Sequence, residues 1–143
     1  MSKTIISLDQ ARGCGYCVSI DGEIVEYGCK QFKPKDYPNY HDVAVEIKRL
    51  MKDLIEKYPP TLVTVEDVHG GLNRDTMKKL GGLQGVLVNH LIESNILFSI
   101  IKPSSGKAKK ELLSSTGMSW LATSGLMSNI IDVAGDRVYD TDC

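Results

Sequence analysis

Two acids stand where an acid is costly. Asp9 closes the apolar run TIISL that starts at Thr4, and Glu66 closes the run TLVTV that starts at Thr61. Carboxylates held close together repel unless a proton or a cation lies between them. The hard-oxygen cation suited to such a pair is Mg²⁺, which binds few carboxylates and keeps waters for a phosphate substrate. Two such ions can flank an in-line displacement at a phosphodiester. The plain alternative is that each acid is a helix cap or a solvated turn residue. Lysines cluster too: Lys102, Lys107, Lys109 and Lys110 lie close together, and Lys78 and Lys79 form a smaller pair. The net charge is only −1, so there is no global basic footprint. A local patch can still track phosphates, although the same lysines would serve equally as a solvated helix face.

The other reactive residues point to packing. Cys14 and Cys17 form a C-x-x-C, but a zinc site needs a second ligand pair, and His41, His69 and His90 are scattered. On a strand the two thiols would point to opposite faces. Buried, weakly polar packing is the expected role of these cysteines. A chain of 143 residues with 42 % hydrophobic residues is expected to be one domain with a real core. No apolar stretch reaches the roughly 18 residues of a membrane span. The Met-Ser-Lys-Thr start lacks the apolar region of a signal peptide, which makes a cytosolic chain the expectation.

The elements that must position the acids follow from pattern. Lys3 to Asp9 is β-rich. Tyr16 to Ile20 and Glu23 to Tyr27 alternate apolar and polar residues, and Asp21-Gly22 between them is a strong two-residue hairpin signal. The chain therefore opens as a three-stranded antiparallel meander. Tyr40 to Ile55 carries apolar residues near helical spacing, ended by Pro59-Pro60. Thr61 to Val65 is a buried strand. A second helix runs from Asn73 or Arg74 to about Ser94, and Gly81, Gly82 and Gly85 in its interior are each costly. Ile96 to Ile101 is another buried strand, and a helix capped by Ser104 or Ser105 follows. Met118 to Gly135 is expected to be partly helical. Right-handed crossovers place the fourth strand parallel to the first. The result is an α/β fold with a mixed five-stranded sheet, the meander plus two parallel strands, and helices on both faces. Asp9 and Glu66 then project from one sheet edge, where open α/β sheets bind ligands.

Three stretches in this order resemble the motifs of the RuvC-type Holliday junction resolvases, within the ribonuclease H-like superfamily. A strand ending in Asp9 and followed by GYCVSI resembles the first motif. VTVEDVHGGLNRDTMKKLGGLQGVL, Val63 to Leu87, resembles the second, with its buried strand, acid, Asn73 loop and glycine-bearing helix. IKPSSGKAKKELL, Ile101 to Leu113, resembles the third. The resemblance spans nearly the whole chain, and phage-type members look most similar. No single motif is specific; the ordered set is.

The resemblance implies a Mg²⁺-dependent endonuclease acting on branched DNA, with Mn²⁺ as a second acceptable ion. Asp9 and Glu66 would be metal-binding catalytic acids, and Lys107 a phosphate-facing lysine. The family closes its site with two acids spaced i and i+3 at the start of a last helix, and Cys143 falls where that helix should begin. Asp142 fits the first of the pair and Asp140 is the second choice. The expected organisation is one nuclease domain over 1–143 without that helix. Asn73, Arg74, Lys78, Lys79, Lys107, Lys109 and Lys110 are the expected DNA-facing residues. The implied partners are a four-way DNA junction and a second copy of the chain, paired through the glycine-bearing helix. The implied location is the cytoplasm of a bacterial or phage-infected cell. A non-catalytic nucleic-acid-binding module, a YqgF-like nuclease acting on RNA and a plain α/β interaction protein are the rival readings. An actin-like sugar kinase needs a glycine-rich phosphate loop and a second domain that this length does not hold.

Overall fold

The computed structural model describes residues 2–68, 73–101, 120–121, 129–131 and 137–140. Its main sheet holds β1 (Thr4–Asp9), β2 (Gly13–Ile20), β3 (Glu23–Gln31), β4 (Leu62–Glu66) and β5 (Phe98–Ile101), with α1 (Tyr40–Lys57) and α2 (Arg74–Glu93) between strands. The strand order is β3-β2-β1-β4-β5. β1, β2 and β3 form the antiparallel meander, and β4 and β5 run parallel to β1. This is the mixed sheet expected from the pattern.

Local chemistry explains the boundaries. Asp21 and Gly22 both take positive φ, 52° and 85°, as a two-residue hairpin turn requires. Asn39 caps α1 by accepting from the His41 N–H at 3.0 Å, and Asn73 caps α2 by accepting from the Thr76 N–H at 2.9 Å. Each satisfies a first-turn donor that the helix cannot. Gly28 is required by a close approach. A Cβ there would lie 2.7 Å from Tyr16 Oη and 2.9 Å from Cζ, because the ring of its cross-strand partner lies over it.

Both described helices cover one face of the sheet. Val43, Ile47, Met51 and Leu54 of α1 and Leu83, Leu87 and Leu91 of α2 join Ile6, Leu8, Cys14, Val18, Val63 and Val65 in one cluster. The opposite face carries Ile5, Ser7, Asp9, Cys17, Ser19 and Thr64, which are buried as well. β6 (Trp120–Leu121) lies beside β1 and β2. The helix expected after Ser104 lies outside the described residues.

The region around Met118 to Gly135 requires a correction. Where it is described it is strand, not helix. β6, β7 (Asn129–Ile131) and β8 (Arg137–Asp140) form a separate antiparallel sheet in the order β6-β7-β8. Ile130-Ile131 and Val138-Tyr139 are β-branched and aromatic pairs that suit a pleated surface. They are too short and too widely spaced to show a period.

Candidate functional site

The register of β1 on β4 decides the site. Leu8 lies opposite Val65 in the parallel pairing, so the next residues, Asp9 and Glu66, leave the sheet side by side. Side chains alternate along a strand. Both acids therefore point to the face opposite the helices, as Ser7 and Thr64 do. β5 extends the edge, with Glu66 opposite Ile101 and the Asp67 N–H donating to the Ile101 carbonyl at 2.8 Å.

The two carboxyls are close enough to influence each other's titration. Asp9 is 5 % exposed. Burial pushes its carboxyl above the ordinary value of 3.8, and the influence of Glu66 only partly offsets this. Asp9 Oδ2 is buried with no hydrogen-bond partner among the described residues. Two carboxyls this close need one proton between them, or a cation in its place. Hard oxygens, few in number, in a shielded corner match what Mg²⁺ or Mn²⁺ accepts.

Residues after Asp9 brace this corner. Gln10 is buried, and its Nε2 donates to the Glu66 backbone carbonyl. Arg12 Nη1 donates to the carbonyls of Phe32 at 3.0 Å and Tyr37 at 2.8 Å. The Arg12 guanidinium also lies 4.5 Å from the Tyr40 ring centre, so Arg12 ties the turn after β1 to the start of α1. Sequence reasoning missed Gln10, Arg12 and Tyr40. The available signal was small: polar residues with long side chains directly behind a strand-ending acid.

The other expected site residues fall into three groups. Asn73, Arg74, Lys78 and Lys79 are exposed at the start of α2. Asn73 serves as the cap, and Lys79 pairs with Asp75 at 2.9 Å and sits 5.3 Å from the Tyr40 ring centre. Tyr40, His41, Lys78, Lys79 and Gly82 line a groove between the helices. Asp140 ends β8, opposite Asn129. Lys107, Lys109, Lys110 and Asp142 lie outside the described residues. Among the described residues, no three of His, Cys, Asp and Glu gather into a metal cluster. Cys14 and Cys17 are buried free thiols. Burial pushes each up to about 12, which keeps both protonated and inert at neutral pH.

No protein-family model and no curated protein sequence matches the chain. Solved structures do. A Thermus thermophilus RuvC structure in complex with a Holliday junction substrate matches with a TM-score of 0.62 at 14 % identity, over 76 % of this chain and 72 % of that one. A second T. thermophilus RuvC structure matches with a TM-score of 0.57 at 14 % identity, over 82 % of this chain and 69 % of that one. The yeast mitochondrial Holliday junction resolvase Ydc2 matches with a TM-score of 0.50 at 15 % identity, over 81 % of this chain and 63 % of that one. With its meander, its parallel β4 and β5 and its α2 crossover, the chain has the ribonuclease H-like fold of the RuvC Holliday junction resolvases.

Proposed function

We propose that this chain is a divalent-metal-dependent endonuclease that cuts phosphodiesters in branched DNA, with a four-way junction as its substrate. One observation carries the reading: Asp9 and Glu66 leave adjacent parallel strand ends side by side, in a fold shared with junction resolvases. Asp9 and Glu66 would hold Mg²⁺ or Mn²⁺. When bound, that ion would polarise a phosphodiester oxygen and make a water a better nucleophile. The chain's own part is to keep the acids shielded and parallel, and to bring DNA to them.

Arg74, Lys78 and Lys79 would take phosphates at the exposed start of α2, with Asn73 beside them. Lys107, Lys109 and Lys110 would extend that track. Lys107 would sit nearest the scissile phosphate, and Asp142 or Asp140 would complete the acids. A symmetric junction needs two cuts, so the acting form would be a two-fold dimer. The supporting observation lies on α2. Gly81, Gly82 and Gly85 are exposed, and a Cβ on any of them would meet nothing within 4 Å. These glycines therefore do not serve packing against the described sheet, and they leave a helix face that a second copy could approach closely. Among the described residues no helix is long and apolar enough to cross a membrane.

The test is nicking of a synthetic four-way junction with and without Mg²⁺, beside linear duplex and a matched RNA junction. Cleavage confined to the DNA junction, dependent on the ion and lost in Asp9→Asn by a factor of about 10³ or more, is the expected result. Binding without cleavage would make the chain a recognition module. Cleavage of the RNA alone would make it a ribonuclease.

A further inference from the structure

Gln10 follows Asp9 and is 5 % exposed, although glutamine at a strand end is usually solvated. Its Nε2 donates to the Glu66 backbone carbonyl, 56 residues further along the chain. That single bond joins the end of β1 to the end of β4, where the two acids leave the sheet side by side. The other half of the amide is the unusual part. Gln10 Oε1 is buried and has no hydrogen-bond partner among the described residues, the same condition as Asp9 Oδ2 of the preceding residue. A buried acceptor without a donor is costly, because it has given up its water without replacement. The closest cation in sequence does not relieve it, because Arg12 Nη1 is committed to Phe32 and Tyr37.

We propose that Gln10 is a positioning residue for the acid pair: its amide N–H fixes Glu66 against Asp9, and its amide oxygen is the neutral acceptor left for the cation or its waters. The proposal rests on the reading of Asp9 and Glu66 as cation-holding acids. Charge explains why an amide suits the place. Asp9 and Glu66 together carry −2 when ionised, which a divalent ion neutralises. A third carboxylate would overshoot, raise the acids' proton affinity and make ion uptake compete with protons. An amide adds a hard oxygen without that charge.

The test uses Gln10→Met, which keeps length and volume but removes donor and acceptor. The variant removes the unpaired Oε1 but also takes the Gln10 donor from the Glu66 carbonyl, two effects of opposite sign. The melting temperature without metal should therefore shift by no more than a few degrees. Mn²⁺ affinity, measured by isothermal titration on the full chain, should fall about tenfold or more, as when a group that orients metal ligands is removed. A structural role alone would move the first quantity and not the second. If wild type binds Mn²⁺ and Gln10→Met binds it equally well, this proposal is overturned and the nuclease reading stands. If wild type binds no divalent ion, both fall. Should the variant fail to fold, the wild-type Gln10 side-chain amide is followed by ¹⁵N-correlation NMR during Mg²⁺ titration. A resonance that moves and saturates with the binding curve supports the proposal; one that stays in place overturns it.

Discussion

The two faces of the central sheet are buried to a similar degree and are built differently. Toward the helices, β1, β2 and β4 present Ile6, Leu8, Val18, Val63 and Val65. On the other side the same strands present Ile5, Ser7, Asp9, Cys17, Ser19 and Thr64, with Glu66 at the rim. Burial of the first set removes apolar surface from water and asks for nothing in return. Burial of the second set needs partners, and only some exist. Thr64 Oγ1 donates to Ser7 Oγ at 2.8 Å, while Ser19 Oγ and Asp9 Oδ2 have none among the described residues. One face is organised for stability, and the other carries buried polar atoms left without partners among the described residues.

The largest expected effect tests the helix face. Leu87 is fully buried between α2 and the sheet. Leu87→Ala should lower unfolding free energy by about 2–5 kcal/mol, measured by urea denaturation with an unchanged slope. A loss well under 1 kcal/mol would show that this face does not carry the stability assigned to it.

On the acid face the sign should reverse. Asp9→Asn should raise the stability of the metal-free protein at pH 7 by about 1–3 kcal/mol, because it removes a buried charge. Mg²⁺ should then stabilise wild type and leave the variant unmoved. The pH dependence follows from the raised folded-state pKa of Asp9. A raised acid stabilises the fold fully below its unfolded value near 3.8, and that contribution is lost as pH rises through the folded value. The stability difference, variant minus wild type, should therefore grow as pH climbs from below 3.8 toward neutrality. Glu26 has the opposite sense. Its pKa is lowered by its bonds from Lys57 and Tyr58, so its contribution fades as pH falls. Taking the difference between the two proteins cancels it. A flat difference would mean that Asp9 does not titrate as its burial requires.

The smallest effect sharpens the contrast. Thr64→Val keeps the shape and removes one buried hydrogen bond to Ser7. It should cost about 1 kcal/mol. A cost equal to that of Leu87→Ala would erase the distinction between the faces.

Much of this arrangement was legible in order and spacing. The Asp21-Gly22 hairpin, the start of the second helix at Asn73 or Arg74, and the β-branched runs before Asp9 and Glu66 are local signals, and the elements fall within a few residues of where those signals place them. Pairing of the two acids also followed, because a right-handed crossover leaves few places for β4. The bracing did not follow. Gln10 acts on a carbonyl 56 residues away, and Arg12 on the ring of Tyr40; neither contact leaves a local trace. The β6-β7-β8 sheet was missed because strands this short carry too few residues to show alternation.

The pairing of Tyr16 with Gly28 limits how this sequence can drift. With the end of the phenol ring 2.7 Å from where a Cβ would go, a side chain at position 28 would require the Tyr16 ring to swing aside. Replacing Tyr16 with a small residue would in turn strip cover from a bare stretch of β3. Each position therefore constrains the choice of residue at the other. Among relatives that keep the meander, the two should be exchanged together, as a large–small pair that preserves its combined volume.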